Sequence, residues 1–586
     1  MNLDRQKIKK VPELKSFHTY LQKVTNSGFI TRQELVSMLP PLFLDIQKDD
    51  LVLDMCAAPG SKTSQIVEFL SEMGENKGNL AQGGVFANEI DFKRSYILSH
   101  QLKRLNSPGI AVINHAAQFL PTLYDDEVLK TDNYDNKVYF DKVLVDAPCS
   151  GDGALRKLPG RWRKWSPIDG VHLHKLQVQI LMRALKVVKI GGLVVYSTCS
   201  LNCVENEAVV AEIMRTANSN DSDSLELLDV HNSLKGLKMT KGLSKWKFLL
   251  NKQGNYYENL DEEEKKKVKK EGENGFCLDV FNTYEEFIEK HANHPKLSQS
   301  VTKSMFSANL EKLNKEIGIE KTARIMPHDN NSGGFYLAVF RKKKYVHFWN
   351  DEAKEKNEQD NDSKDAMVEE KPESEFIKEE KEPENKEAEE KIEFKQSTHK
   401  LCKSKDLAVT NDVEPSVIEV IKKEYGLLDN FPSHLLIVTA EPSKKIQMIS
   451  QKIKNTLKTD TKKNLKYIYL GTTVFVRNKS GNDFWRLSQN GIHLIKPFMT
   501  KNKVEIDKNL FLFIIRNNQS FKFDDIKDDV AEWKDKLQAL DEGSYCLIYK
   551  NGTEEEYLII NRMKFSIGIM VAKEDLEGLR VKYLIE

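Results

Sequence analysis

The sequence has few cysteines, and their spacing argues against two common structural roles. Seven Cys occur among 586 residues, an odd number without a CxxC pair or a Cys/His spacing typical of metal ligands. We therefore expect neither a disulfide framework nor a structural zinc site. No apolar run reaches the roughly 18 residues that a membrane helix needs. The opening residues, MNLDRQKIKKVPELK, also lack the apolar core of a signal peptide. The expectation is a soluble intracellular protein with no membrane or metal partner.

An overall charge of one sign is also missing, because 89 Lys and Arg nearly balance 88 Asp and Glu. The balance conceals an acidic stretch. Residues 351–406 contain 20 acidic and 12 basic residues, which leaves the remainder of the chain at +9. This stretch has almost no aromatic or β-branched residues, so it cannot bury enough apolar area to offset chain entropy. We predict a disordered linker. A single solvated helix is the alternative, and Pro372 and Pro383 argue against it.

The linker sets the predicted domain organisation, in which we find no internal repeat. The pattern predicts an N-terminal helical segment (1–45) and an α/β domain (46–350) with a charged insertion (251–300). These are followed by the linker (351–408) and by a β-rich α+β module (409–586).

The α/β domain alternates apolar runs with helical patterns. Buried strands separated by helices indicate a mostly parallel sheet, and a final pair of runs indicates an antiparallel hairpin. Open sheets of this type bind ligands beyond the carboxyl ends of their strands. The predicted strands are 51–55, 84–89, 109–114, 142–148 and 191–199, the helices 61–70, 93–105 and 170–190, and the hairpin 323–327 with 333–343.

The first strand is followed by a turn of small residues, Asp54 to Thr63. Small residues let the backbone approach a ligand, Pro59 and Gly60 shape the turn, and Ser61 begins the next helix. The free N–H groups of that helix suit an anionic group such as a carboxylate. The turn matches neither GxGxxG nor GxxxxGK[ST], so a dinucleotide or nucleoside triphosphate is disfavoured. Glu89, after the second strand, occupies a position that commonly binds ribose hydroxyls.

Two cysteines lie just beyond the ends of consecutive predicted strands. Cys149 is part of DAPCSGDG (146–153), and Cys199 is part of STCSL (197–201). A free Cys is usually a small buried apolar residue. Neighbouring parallel strands would nevertheless bring both thiols to one crevice, and Cys is a strong nucleophile near neutral pH. We expect chemistry at one or both thiols and a structural role for Cys203. The residues alone do not say which thiol is which.

Three strings, in this order, resemble the RNA 5-methylcytosine methyltransferases of the Nop/Sun family. They are LDMCAAPGSKT (53–63), VDAPCSGDGALRK (145–157) and YSTCSLNCVENEAVV (196–210). QELVSMLPPLFL, RWRKWSP, MPHDNNSGGFYLAVF, YGLLDNFP and RLSQNGIHLIKPFM are similar to its eukaryotic tRNA branch. The resemblance implies a Rossmann-like class I methyltransferase domain that uses S-adenosylmethionine. It also implies a PUA-like RNA-binding module at the C-terminus.

The resemblance also implies roles for individual residues. Cys199 would attack C6 of cytosine, Cys149 would help to release the covalent adduct, and Asp146 would contact the base and line the cofactor side. Glu89 would bind the cofactor ribose. The remaining cofactor residues would be Cys56, Ala57, Ala58, Pro59, Gly60, Ser61 and Lys62.

One position departs from the family pattern. An acidic residue after the third strand usually contacts the adenine, and here position 116 is Ala. Losing one such hydrogen bond weakens binding by about 0.5–1.5 kcal/mol. His115, Gln118 or a backbone amide are the candidates to replace it.

Partners and location follow from the charge distribution and from the resemblance. The positive excess outside the linker suits RNA, and RWRKW (161–165) suits phosphate contact and base stacking, or else anchors a helix. We expect a monomer that acts on tRNA. Ribosomal RNA methylation and a non-catalytic RNA-binding scaffold are the alternatives. The run KKKVKK (265–270) and the resemblance favour the nucleus or nucleolus, with some protein in the cytoplasm.

Overall fold

The computed structural model describes most of the chain outside the acidic stretch. The predicted linker (351–408), residues 161–164 of the RWRKW string and the lysine run 265–270 lie outside the described residues. Met1–Val346 and Leu407–Glu586 belong to one compact unit. The described residues are 8, 10–72, 82–124, 137–138, 140–158, 160, 165–217, 223–251, 278–291, 299–307, 317–346, 411–439, 444–460, 464–478, 484–517 and 520–583.

The first 346 residues alternate helices and strands, as the apolar pattern predicts. Their elements are α1 (Pro12–Asn26), α2 (Leu39–Leu42), β1 (Leu51–Asp54), α3 (Ser61–Glu72), β2 (Gly84–Asn88), α4 (Phe92–Lys103), β3 (Ile110–Ile113), β4 (Leu123–Tyr124), β5 (Lys137–Val138), β6 (Phe140–Asp146), α5 (Pro167–Val187), β7 (Val188–Thr198), α6 (Glu207–Ala217), β8 (Leu225–Leu228), β9 (Thr240–Lys241), β10 (Phe248–Asn251), β11 (Leu278–Phe281), α7 (Tyr284–Lys290), β12 (Ala323–Ile325), α8 (Pro327–Asn330) and β13 (Phe335–Lys342).

The central sheet has the strand order β3–β2–β1–β6–β7–β13–β12–β9, and β8 also pairs with β13. Strands β3, β2, β1, β6 and β7 are parallel, whereas β13 is antiparallel to β7 and to β12. The predicted Rossmann-like sheet and its closing hairpin are therefore confirmed. The chain leaves β1 towards β2 and β3 and returns on the other side through β6. This reversal opens a crevice beyond the carboxyl ends of β1 and β6.

The sheet is held by burial on both of its faces. Strands β1, β2 and β3 are buried along their whole length, which explains why they read as continuous apolar runs rather than as alternating ones. Helices α3 and α4 cover the sheet with the buried side chains Ile66, Leu70, Leu98 and Leu102. A rigid sheet fixes the loops at its carboxyl edge, where the sequence motifs lie.

The C-terminal part is β-rich with interspersed helices, as predicted. Two five-stranded sheets form, in the orders β14–β15–β16–β18–β19 and β20–β22–β23–β24–β21. The elements are β14 (Asn411–Asp412), α9 (Pro415–Tyr425), β15 (Leu436–Val438), β16 (Lys445–Met448), α10 (Gln451–Thr459), β17 (Tyr467–Leu470), β18 (Thr472–Arg477), β19 (Trp485–Leu487), α11 (Ile492–Ile495), β20 (Lys503–Ile506), α12 (Lys508–Arg516), β21 (Ser520–Lys522), α13 (Trp533–Gln538), β22 (Gly543–Asn551), β23 (Glu554–Met563), β24 (Ser566–Ile569) and α14 (Lys573–Tyr583).

Strand β17 belongs to neither C-terminal sheet, which the sequence did not indicate. It pairs antiparallel with β3, with Tyr467 opposite Ile113 and Leu470 opposite Ala111, and so extends the central sheet by one strand. The apolar string YIYLGTTVFVR (467–477) is divided between two sheets, because the chain turns at Gly471 (φ +53°) and continues as β18 in a different sheet. Glycine adopts this left-handed conformation without strain. The two parts of the chain therefore share a sheet.

Candidate active site

The turn after β1 is held by the neighbouring strands. The Met55 amide donates to the Leu144 carbonyl (2.9 Å), and the Ala57 amide donates to the Asn88 carbonyl (2.8 Å). Gly60 has φ +110°, and a Cβ built on it would lie 2.9 Å from the Leu98 side chain. Only glycine fits here, so the predicted cofactor loop has one fixed shape beyond the sheet.

A buried carboxylate lies at the start of this turn. Asp54 is 1% exposed, and its Oδ2 accepts a hydrogen bond from the Thr63 hydroxyl (2.7 Å). Its Oδ1 is buried without a partner within the described part of the chain. Burial raises the pKa of Asp54 to about 7, and the charge of Asp146 adds to this. An acceptor oxygen is therefore left over beneath the turn.

The side chain of Asn88 joins the loops that follow β1 and β3. Its amide nitrogen donates to the carbonyl oxygens of Met55 (3.0 Å) and His115 (2.9 Å), and its carbonyl oxygen accepts from the His115 amide (3.0 Å). The adjacent Glu89 is 4% exposed. One Glu89 oxygen accepts from the Asp91 amide (3.0 Å), and the other lies 3.4 Å from Arg94. Glu89 therefore lies in the loop cluster where the sequence pattern predicted it.

The loop after β3 contacts the C-terminal part. The Asn114 amide donates to the Lys466 carbonyl (3.0 Å), and the Lys466 amide donates to His115 Nε2 (2.9 Å). Burial, together with the Lys466 charge, lowers the pKa of His115 to about 4, so its ring is neutral and can accept this bond. The next residue in the chain is Ala116, the position at which the family pattern has an acidic residue. Lys466 lies 351 positions from His115 in the chain, and no local sequence signal connects the two.

Both carboxylate oxygens of Asp146, at the end of β6, have a partner. The Lys62 ammonium lies 2.7 Å from its Oδ2, and the Ser197 hydroxyl donates to its Oδ1 (2.8 Å). Lys62 also donates to the Ser37 hydroxyl (2.7 Å) and lies over the Phe335 ring at 5.6 Å. Lys62 and Asp146 thus connect the predicted cofactor turn to the cysteine loops. Ser37 lies within the recognised string QELVSMLPPLFL (33–44), but nothing in that string indicated a contact with Lys62.

The two predicted thiols meet beyond the ends of β6 and β7. Cys149 Sγ and Cys199 Sγ are 3.2 Å apart, within hydrogen-bonding distance for sulfur. The hydrogen bond to Cys199 raises the pKa of Cys149 well above its usual range, and burial raises it further. Cys203 lies apart from this pair, 3.1 Å from the Arg324 guanidinium, and burial raises its pKa to about 12. The structure thus brings together the two cysteines that the sequence singled out.

Two family models match parts of this chain. Residues 41–260 match the model described as 16S rRNA methyltransferase RsmB/F, and residues 407–500 match the NSUN2 Pre-PUA domain. The multisite-specific tRNA:(cytosine-C(5))-methyltransferase of Saccharomyces cerevisiae is 32% identical over 564 residues, which cover 94% of this chain and 72% of that protein. The chain belongs to the RNA (cytosine-C5)-methyltransferase family.

Further relatives carry related names. The tRNA (cytosine(34)-C(5))-methyltransferase of Drosophila melanogaster is 31% identical over 582 residues, which cover 98% of this chain and 72% of that protein. The trm4b multisite-specific tRNA:(cytosine-C(5))-methyltransferase of Schizosaccharomyces pombe is 33% identical, covering 85% and 70% respectively. This RNA (cytosine-C5)-methyltransferase is therefore an enzyme that uses S-adenosyl-L-methionine as its methyl donor.

The crevice beyond the carboxyl ends of β1 and β6, together with the loop after β2, fits S-adenosyl-L-methionine. The unpartnered Asp54 Oδ1 provides a buried acceptor, Glu89 provides a carboxylate, and the free N–H groups at the start of α3 suit a carboxylate of the ligand. Within the described residues, no group of three or more His, Cys, Asp or Glu could hold a metal ion. None of the helices described is long and apolar enough to cross a membrane.

Proposed function

We propose that this enzyme methylates cytosine C5 in tRNA through a covalent bond between Cys199 and C6 of the base, and that Cys149 helps to break that bond. The observation that carries the proposal is the 3.2 Å contact between the two thiols, in the loops that follow Asp146 and Ser197, which are themselves hydrogen-bonded. Three relatives named as tRNA enzymes match most of the chain, including its C-terminal part, which supports tRNA as the substrate.

The cofactor residues are proposed from the geometry of the β1 turn. Cys56 to Lys62 would hold the amino-acid end of S-adenosyl-L-methionine, Glu89 would bind the ribose hydroxyls, and Asp146 would border the same space. The cofactor supplies an electrophilic methyl group. His115, neutral and fixed by Lys466, would stand near the adenine where the family pattern has a carboxylate at position 116.

The chemistry requires that cytosine C5 become nucleophilic. A Cys199 thiolate adds to C6, so the S–C6 bond forms and the C5=C6 electron pair shifts into the ring, towards N3. Asp146 can stabilise this charge by contact with N3 and N4. C5 then forms a bond to the methyl carbon as the bond between that carbon and the cofactor's sulfonium sulfur breaks, which leaves the cofactor as a neutral thioether. A base removes the C5 proton, the C5=C6 bond re-forms, and the S–C6 bond breaks to return the thiolate. Cys149 lies beside the sulfur that must leave.

The covalent step is tested with two variants. Cys149→Ala and Cys149→Ala/Cys199→Ala are each incubated with total tRNA and S-adenosylmethionine and run on a denaturing gel. The proposal expects a protein–RNA band with the single variant and no band with the double variant. A band that persists in the double variant would overturn the assignment of Cys199.

The substrate and cofactor are tested with the wild-type protein. Tritiated methyl groups should appear as 5-methylcytosine in tRNA and not in ribosomal RNA. Methylation of ribosomal RNA alone would contradict the proposed substrate. If neither RNA is methylated, calorimetry with S-adenosylmethionine decides between an untested RNA and the scaffold alternative, because a scaffold with a failed cofactor site gives no binding heat.

We also propose that the enzyme is a monomer located in the nucleus. The lysine run 265–270 supports nuclear import. A fluorescent fusion should lose nuclear accumulation when these lysines are replaced by Gln, and light scattering should give a mass near 67.4 kDa. An unchanged distribution, or twice that mass, would overturn the respective proposal.

A further inference from the structure

One buried carboxylate, that of Glu205, is hydrogen-bonded to the loops that carry the two thiols. Glu205 is completely buried, and both of its oxygens accept hydrogen bonds. Oε1 accepts from the Ser150 amide (2.7 Å) and from Gln177 Nε2 (3.2 Å). Oε2 accepts from the hydroxyls of Ser150 (2.5 Å) and Ser200 (2.7 Å). Burying a carboxylate is unfavourable unless several donors satisfy it, and here four donors do so.

These donors come from the two cysteine loops. Ser150 directly follows Cys149, and Ser200 directly follows Cys199. A single carboxylate therefore joins the residue after each thiol. Gln177 strengthens the same link, since its Nε2 also donates to the carbonyl of Pro148 (2.9 Å), the residue before Cys149.

The surroundings hold Glu205 itself in place. The Tyr196 hydroxyl donates to the Glu205 carbonyl (2.6 Å), and Trp165 Nε1 donates to the Ser150 hydroxyl (2.9 Å). The carboxylate cannot move without breaking bonds to both loops. Its position therefore fixes where the loops lie relative to each other.

We propose that Glu205 is a positioning residue, which sets the separation of Cys149 and Cys199 so that Cys149 can act on the S–C6 bond. This inference rests on the proposed function. The Glu205 charge also contributes to the raised pKa of Cys149, after the larger effects of Cys199 and burial. Glu205 thereby favours a protonated Cys149 beside the nucleophile.

The chain offers a matched control in the same motif. Glu207 is also completely buried, but it pairs with Arg324 at 2.5 Å and accepts no hydrogen bond from Ser150 or Ser200. Glu207→Gln removes a buried charge two positions away and leaves Arg324 without its ion-pair partner. We expect this control to lose thermal stability without changing the fate of the covalent adduct.

Glu205→Gln is the test variant, because an amide group in place of Oε2 is itself a donor and cannot accept from the two serine hydroxyls that now donate there. Single-turnover assays with tRNA and S-adenosylmethionine measure adduct formation and adduct release separately. Release should slow by about tenfold to a hundredfold, the usual effect of unpairing a buried polar group. A protein–RNA band should then persist on a denaturing gel, as it should for Cys149→Ala.

A second readout follows the thiol itself. The rate of Cys149 alkylation by iodoacetamide, measured by mass spectrometry across pH, should rise at lower pH in Glu205→Gln than in wild type. Loss of a nearby negative charge favours the thiolate. Glu207→Gln should keep the wild-type profile. A purely structural effect of Glu205 would lower stability and leave this profile unchanged.

Wild-type release and a wild-type alkylation profile in Glu205→Gln would overturn the inference while leaving the proposed function intact. A wild-type protein that forms no 5-methylcytosine would instead refute the proposed function. If Glu205→Gln does not fold, Ser200→Ala replaces it, because this variant removes one of the four donors and should also slow release. Unchanged release in that variant would equally overturn the inference.

Discussion

Gly471 controls the passage of the chain from the central sheet to the C-terminal sheet, so its replacement should disturb both. Gly471→Ala meets two penalties. The left-handed conformation costs an alanine about 1–2 kcal/mol, and a Cβ would overlap the Met448 carbonyl oxygen, which adds about 1–3 kcal/mol of overpacking. We expect the free energy of unfolding to fall by about 3 kcal/mol.

Gly552→Ala is the matched control, because Gly552 has φ +62° and nothing lies within 4 Å of its added Cβ. It should lose only the conformational part, about 1–2 kcal/mol. Urea denaturation of both variants measures the difference. Equal losses would refute the reasoning that the Met448 contact matters at this turn.

The same substitution should also weaken the proposed cofactor site. Strand β17 begins directly after Lys466, whose amide bonds to His115 Nε2. A shift of β17 against β3 would weaken this bond, and losing it should reduce S-adenosylmethionine affinity by up to about tenfold. Calorimetry should detect this in Gly471→Ala and not in Gly552→Ala. Equal cofactor affinity in both variants would show that β17 does not support the site.

Three further predictions concern the crevice. Burial raises the native pKa of Asp54 to about 7, so the native state binds an extra proton and this group's contribution to stability should be lost as pH rises from about 4 to 7. Denaturation across this range should therefore show a larger fall in stability for wild type than for Asp54→Asn. Lys62→Met should lower methyl transfer by roughly a hundredfold with the fold intact by circular dichroism, because Asp146 loses its ion-pair partner; near-wild-type transfer would contradict this. Cys203→Ala should form and release the adduct as wild type does on a denaturing gel, because its thiol contacts Arg324 and not the other cysteines.

The fold was predictable where burial produces a simple pattern. The parallel strands are buried on both faces, so they appear as apolar runs with motifs at their carboxyl ends. The meeting of Cys149 and Cys199 followed from the adjacency of β6 and β7. The same apolar pattern could not reveal that β17 joins the central sheet, because the residue pattern of an edge strand does not depend on which strand it pairs with.

The residues that hold the site together were harder to predict than those that react. Ser37 accepts a hydrogen bond from Lys62, and Lys466 donates one to His115. Both contacts join segments that are distant in the chain, so no characteristic residue spacing in the sequence predicts them. Glu205 belongs to a recognised motif, but the sequence does not show that its side chain is completely buried, and its proposed role depends on that burial. Reactive groups are restricted in residue type, whereas supporting groups need only a donor or an acceptor in the right place.

The position of Lys466 bears on the one departure from the family pattern. Position 116 lacks a carboxylate, but the loop that carries it is fixed by Asn88 on one side and by Lys466 on the other. A loop held by several hydrogen bonds keeps its backbone groups oriented, which reduces its dependence on any single side chain. One of those supports comes from the C-terminal part, so we expect residues 1–346 alone to hold the loop after β3 less firmly and to bind S-adenosylmethionine more weakly. The cofactor site of this enzyme is therefore best measured on the full chain.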